Sequence, residues 1–247
     1  MRALFMGISV VIYAIFFATF LYLIGFVGNL PELPLTVDRG PEAAIGTAIV
    51  VDVMLIALFG LQHSIMARQG FKRAWTSFVP LPLERSVYVL CASAALIVMF
   101  GFWLPIPDTV WNVTNPLAET LLWALFALGW MVVLLTTFLI NHFELFGLQQ
   151  AWLHLRGRDA SHPTFRQPLF YKWVRHPLYL GFYLAFWATP HMTYGHLLLA
   201  AGVSVYMLIA IRYEERDLVH LFGDVYVRSR QDVGMLIPGI GRRSPPA

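Results

Sequence analysis

Residues Leu4–Val27 read LFMGISVVIYAIFFATFLYLIGFV, an apolar run without one charged side chain. A bilayer's hydrocarbon core is about 30 Å thick and takes roughly 20 apolar residues to cross as a helix. The run is therefore long enough to span. It is also too long for the apolar part of a cleaved signal and has no convincing small-residue cleavage site, so we read it as a retained first helix. Outward from it, five more segments qualify: Ala44–Met66, Ser86–Leu104, Leu117–Ile140, Leu178–His191 and His196–Ile211. The last two are short, and Pro190 to Gly195 supplies a turn, which predicts a hairpin packed against other helices. The chain is 247 residues long, 58% hydrophobic and only 13% charged, against roughly 25% charged in an average soluble domain. The expected fold is all-α, a multi-pass transmembrane bundle of about six helices with amphipathic helices at the cytoplasmic face.

Charge placement orients the bundle. Arg2 precedes the first helix; Arg68, Lys72, Arg73 and Arg85 lie between the second and third; Arg156, Arg158, Arg166, Lys172 and Arg175 follow the fourth; six arginines follow the sixth. Loops on the other side carry only Arg39. Positive charge resists translocation, so both termini and the two basic loops are expected to face the cytoplasm. The basic excess then reports topology and anionic lipid contact, not nucleic-acid binding. Cys91, the only cysteine, falls inside the third helix and can form neither an internal disulfide nor a cysteine-based metal site.

Local signals shape the connections. Pro105 and Pro107 end the third long helix, because proline lacks an amide hydrogen. The loop Gly28–Pro41, with Pro31, Pro34 and mixed charge, reads as an ordered external connection. Trp75, Tyr88, Trp103 and Trp111 fall near expected interfaces, where amphipathic rings anchor helices. Asn141–Val174 is the longest and most polar loop; Phe143, Phe146 and Leu148 suggest a helix lying on the membrane surface. The tail from Arg212 to Ile237 looks amphipathic, and Gly223 is placed to cap a helix within it.

Polar chemistry concentrates at the feet of the predicted hairpin. Tyr171, Lys172, Arg175, His176 and Tyr179 lead into its first helix, and Arg212, Tyr213, Glu214, Glu215 and Arg216 leave its second. Pro177 suits a first-turn position, and Gly181 lets a ligand or a neighbouring helix reach the backbone. Antiparallel helices would bring these groups together. The set offers a cation for a carboxylate, carboxylates for an ammonium or ribose hydroxyls, and aromatic faces for a cationic sulfur or adenine. Those are the parts of S-adenosylmethionine. Equally, arginines after a membrane helix can be topology markers, and Glu214 or Glu215 can pair locally with Arg212 or Arg216 on a solvated face.

The ordered set Arg175-His176-Pro177-Leu178-Tyr179-Leu180-Gly181, Tyr213-Glu214-Glu215-Arg216-Asp217-Leu218, Phe222-Gly223, Tyr226 and Ile237-Pro238 resembles the C-terminal signature of isoprenylcysteine carboxyl methyltransferases and their relatives. The resemblance implies an integral membrane methyltransferase that binds S-adenosylmethionine on the cytoplasmic side. It implies donor contact for His176, Tyr179, Gly181, Tyr213 and Glu214, with Arg175 and Glu215 close by. Tyr22 to Asn29, Leu61 to Arg68 and Asn141 to Leu148 further resemble bacterial methanethiol S-methyltransferases, which implies that a small volatile thiol, methanethiol, becomes dimethyl sulfide. On this reading residues 1–140 form the scaffold and acceptor pocket, and 141–247 hold the donor.

A thiolate is the competent nucleophile, so a base is needed near the acceptor sulfur. His63 and His142, at cytoplasmic helix ends, are the candidates, with Gln62, Asn141 and Glu144 as orienting partners. His63 can instead be an interfacial residue bonded to a carbonyl, and His142 can cap its helix. Without a carboxylate pair or regular histidine spacing, neither reads as a metal ligand. His154, His162, His191, His196 and His220 read as surface or loop residues. A prenylated or other lipidic acceptor, and a non-enzymatic membrane protein reusing the hairpin, remain the alternatives.

Overall fold

The computed structural model describes residues 1–158 and 165–242; His162 and Arg243 lie outside them. In chain order the elements are α1 Arg2–Val27, α2 Ile45–Met66, α3 Gln69–Trp75, α4 Glu84–Phe102, β1 Thr109–Asn112, α5 Pro116–Ile140, α6 His142–Leu145, α7 Leu148–Leu155, α8 Pro177–Trp187, β2 His191–Thr193, α9 Tyr194–Phe222 and α10 Asp224–Asp232. Five helices are long and apolar enough to cross a membrane, those that begin at Arg2, Ile45, Leu81, Pro116 and Tyr194. The protein is an all-α, multi-pass membrane bundle. At 11 residues, α8 runs only about 16 Å and is too short to cross alone.

The helix ends follow the chemistry of their residues. Asn115 caps α5 by accepting from the amides of Leu117 and Ala118, with Pro116 in the first turn; proline loses nothing there, because that amide has no helical partner. Pro177 opens α8 in the same way. Gly223, at φ +57°, separates α9 from α10.

Two compact units are formed from interleaved stretches of chain. The first comprises Met1–Val113, His142–Ala160 and Pro190–Val203. Here α4 packs against α1 and α2, and the buried hydroxyl of Ser86 donates to that of Ser9 at 2.9 Å. Gly147 has a φ of +89°, and a Cβ there would collide with Ser86. β1 and β2 pair antiparallel, Thr109 with Thr193 and Asn112 with His191. The Gly28–Pro41 loop is held by polar groups: Thr193 of β2 donates to Asp38 at 2.6 Å, Asn29 donates to the same carboxylate, and Thr36 donates to Asn29.

Several expectations need correction in this unit. The third long helix ends at Phe102 instead of Leu104. Trp103 turns inward, is 1% exposed and donates to the Val37 carbonyl at 3.0 Å, so it is a core residue and not an interfacial anchor. The Leu104 amide is taken by Asp52 at 3.0 Å. Tyr88 is buried as well. His196 is not a surface residue: it is 1% exposed, and its amide donates to the Thr193 hydroxyl. The stretch after Asn141 is two short helices, and α7 packs along α1. Phe146 stacks on Phe16 with ring centroids 4.0 Å apart, whereas a surface-lying helix would have turned it to lipid.

The second unit comprises Thr114–Asn141, Ser161–Thr189 and Ser204–Ala247. α5 and α8 touch backbone to backbone. A Cβ on Gly129 would stand 2.6 Å from the Ala185 amide, and one on Gly181 would stand 2.8 Å from the Gly129 carbonyl. Small residues permit such close helix approach where lipid offers no hydrophobic drive. α8 runs antiparallel to α9, tied by Tyr183 to the Ser204 carbonyl and by Trp187 to the Ser204 hydroxyl. The predicted end of the last membrane helix at Ile211 is also corrected. α9 continues unbroken to Phe222, so the amphipathic helix expected after Arg212, with Gly223 at its end, is the last part of the membrane helix itself.

The glycine contact generates a test. Gly129→Val or Gly181→Val should force α5 and α8 apart and lower stability by about 1–3 kcal/mol, read as a fall in the thermal midpoint of detergent-purified protein. Gly7, where an added Cβ would meet nothing within 4 Å, should accept alanine without loss.

Candidate active site

The second unit gathers cations and carboxylates where α8 begins. Glu215, on α9, is 1% exposed. Its Oε1 accepts from Arg175 Nε at 2.8 Å and lies 2.8 Å from Arg175 Nη2 and 3.3 Å from His176 Nε2. Arg175 spends its other hydrogens on backbone. Nη1 donates to the carbonyls of Arg230 and Val233, and Nη2 donates to that of Gly241. A guanidinium has five N–H donors, and these partners account for all of them. The amides of Arg175 and His176 in turn donate to the carbonyls of Gly234 and Met235 at 2.8 and 3.2 Å. The tail is thereby stitched to the segment that leads into α8.

Other predicted donor-site residues are placed around this knot. Tyr179 sets its ring edge-on to His176, 5.7 Å between centroids. Glu214 keeps 45% of its side chain exposed and reaches to 3.9 Å from His176 Nδ1, so its carboxylate has room for another partner. Tyr171 is partly buried, and burial together with Glu214 pushes its phenol above the usual tyrosine range. Tyr213 is 43% exposed, with the Arg216 guanidinium over its ring. At Gly181 the space a Cβ would take is occupied by Gly129 and Val133 of α5.

Two residues here were assigned no role from the sequence, Tyr226 although it stands in the C-terminal signature and Arg230 altogether. Tyr226 is 4% exposed, and its hydroxyl is buried without a partner among the described residues. Arg230 Nε is also buried without a partner among them, and its Nη1 stands 3.7 Å from Glu215 Oε2. Burial, then the charge of Glu215, raise the Tyr226 pKa, so the phenol stays protonated. The spacing of Tyr226 and Arg230, one turn apart on a charged tail helix, was the available signal; their burial was not legible.

The first unit holds the candidate bases. His142 is 5% exposed. Asn141 is extended at φ 170°, which breaks α5 and turns the next residue inward. The Tyr13 hydroxyl lies 2.7 Å from His142 Nε2. Either neutral tautomer serves that contact: Nε2–H donates to the hydroxyl oxygen, or a bare Nε2 accepts from it. Phe146 stands edge-on at 4.8 Å. Burial lowers the His142 pKa below the ordinary histidine value, favouring the neutral ring. His63 is sandwiched between Phe59 and Tyr88, at 5.3 and 5.0 Å, and Tyr88 donates to the His63 carbonyl. Gln62 donates to Met66 Sδ at 3.1 Å, and its buried Oε1 has no partner among the described residues. Arg85 joins the two histidine neighbourhoods: its Nε donates to the Leu145 carbonyl at 2.7 Å, and its guanidinium covers the Tyr88 ring. Among the described residues, no three His, Cys, Asp or Glu side chains are grouped to share a metal ion.

No family model matches the chain, and no solved structure matches it. Whole-chain comparison is more informative. Over 226 residues, 92% of either chain, it is 52% identical to methanethiol S-methyltransferase of Mycobacterium tuberculosis. Identity to the enzyme of the same name from Pseudomonas deceptionensis is 51% over 219 residues, 89% of this chain and 83% of that one. Nurim of Xenopus laevis is 31% identical over 199 residues, 77% of this chain and 70% of its own. Identity above one half, sustained over nine-tenths of a membrane bundle, makes this chain a member of the methanethiol S-methyltransferase family.

Proposed function

We propose that the protein methylates methanethiol to dimethyl sulfide with S-adenosylmethionine as donor, at the cytoplasmic boundary of a bacterial inner membrane. The observation that carries the acceptor is the 52% identity to an enzyme named for it. The boundary location rests on charge and length. Basic residues cluster on the loops assigned to the cytoplasm, which supports cytoplasmic termini. α9 has 29 residues and runs about 43 Å, while a core of about 30 Å consumes roughly 20 of them. Counted from Tyr194, that span is used up near Glu214.

The donor site is assigned to the second unit. The donor, when bound, supplies an electrophilic methyl group on a positively charged sulfur. The residues present fit a ligand of separated charges: an exposed carboxylate at Glu214, aromatic rings at Tyr171 and Tyr179, and buried polar atoms without partners among the described residues on Tyr226 and Arg230. Arg175 and Glu215 have a different task. They hold His176 and the tail in place, as positioning residues whose hydrogen bonds are already made.

For the acceptor, His142 and His63 are the bases we assign to the thiol proton, with Asn141, Gln62 and Glu144 as their orienting partners. Burial lowers the His142 pKa, so that imidazole remains neutral and able to take a proton through the neutral range. Aromatic walls around both rings exclude water, which favours transfer to a small apolar nucleophile. Membrane lipid covers the apolar outer faces and gives such a thiol a route in.

Headspace chromatography over purified protein mixed with methanethiol and S-adenosylmethionine should detect dimethyl sulfide; none from correctly folded protein would end the assignment. His142→Ala and His63→Ala should keep donor affinity and slow turnover, by about 10²-fold or more for the true base. Wild-type rates in both variants across pH 6–9 would remove both. The burial of His142 also sets the sign of a stability effect. The unfolded chain takes up a proton near 6.5, whereas the folded ring resists it. Stability should therefore fall as pH drops below about 6.5, and thermal scans of His142→Gln should show a shallower acid decline.

A further inference from the structure

We propose that Tyr226 and Arg230 bind the carboxylate of the methyl donor's amino-acid end, an assignment that rests on the donor-binding reading above. The obvious cation for a carboxylate is Arg175, but Glu215 and three backbone carbonyls use all its hydrogens. No N–H remains there for a ligand.

The buried donors without partners among the described residues of this cluster are on α10. They are the Tyr226 hydroxyl and Arg230 Nε. Residues four apart share one helix face, so both groups belong to one side of α10. Tyr226 is 4% exposed, with its ring edge-on to Phe165 at 5.9 Å. Water is thus kept from a hydroxyl that the protein leaves unsatisfied. Native structures seldom bury a polar atom without a partner, and such an atom calls for an explanation.

Charge agrees with an anionic occupant. Arg175 and Glu215 neutralise one another at 2.8 Å, and Arg230 meets Glu215 only at 3.7 Å. The inner cluster therefore carries one surplus positive charge, on Arg230. The nearby surplus negative charge is the exposed Glu214 carboxylate. A zwitterion suits that pair, its carboxylate on Arg230 and Tyr226 and its ammonium toward Glu214. Arginine to carboxylate is among the strong hydrogen-bonded contacts, and an uncharged phenol adds a donor without repulsion.

Titration calorimetry on full-length protein in detergent tests this, with S-adenosylmethionine and its decarboxylated analogue as probes. The analogue lacks only the group in question. Wild type should bind S-adenosylmethionine about tenfold more tightly than the analogue. Arg230→Gln and Tyr226→Phe should each weaken S-adenosylmethionine several-fold and leave the analogue unchanged. Tyr226→Phe removes a single oxygen that has no partner among the described residues, so it retains the fold even where Arg230→Gln loosens it. Equal weakening of both probes, or wild type that does not discriminate between them, overturns the carboxylate assignment alone. Wild type that binds neither probe overturns the donor site itself, and this inference with it.

Discussion

The buried pair between Arg175 and Glu215 is the interaction on which the second unit depends. Removing two charges from water costs several kcal/mol per ion, repaid only when geometry and further hydrogen bonds are complete. Here they are nearly complete. Arg175 closes two contacts on the carboxylate and three on tail carbonyls, and His176 adds a further contact to the same oxygen. One guanidinium thus joins the start of α8, the far turns of α9 and the segment from Arg230 to Gly241. Without it, no local preference would bring that tail back.

Helix packing supplies the other constraint. Gly129 and Gly181 let α5 and α8 meet backbone to backbone, which fixes where α8 starts and so where His176 lies. Ser204 then holds the opposite end of α8 to α9. Close packing sets the frame, the ion pair locks the polar end, and the remaining groups sit around the lock. Function in this unit is assigned to what the lock leaves unused: Glu214, Tyr226 and Arg230. In the first unit the equivalent frame is aromatic. Phe16 stacks on Phe146, which meets His142, and Tyr88 packs on His63; the Tyr13 hydroxyl stands 2.7 Å from His142 Nε2.

The membrane helices were readable because an apolar run of sufficient length has few other solutions. α1, α2 and α5 begin or end within a residue or two of expectation. α9 was cut short because charge at Arg212 looked like a boundary, yet helical hydrogen bonds carry a chain past the hydrocarbon without apolar side chains. Trp103 and His196 were misplaced for another reason. Their burial depends on groups far along the chain, the Val37 carbonyl in one case and the ordered Asp38 and Thr193 loop in the other. The small β1–β2 sheet has the same origin. At the site, sequence identified the cluster at the hairpin feet but could not separate adjacent carboxylates. Which of Glu214 and Glu215 faces inward depends on the rotation of α9 against Arg175. The burial of Arg230 and Tyr226 beside the cluster was hidden because the tail returns through contacts of Arg175 and His176 with Gly234 and Met235, a pairing with no local signature.

We assign Arg175 and Glu215 to each other and to the tail, and not to direct contact with a ligand. A double-mutant cycle on unfolding free energy in detergent, using Arg175→Met, Glu215→Leu and the double variant, measures that most directly. Each single change should cost about 3–5 kcal/mol by stranding a buried charge, and the double variant should cost well below their sum. Additive losses, or single variants as stable as wild type, would contradict the account.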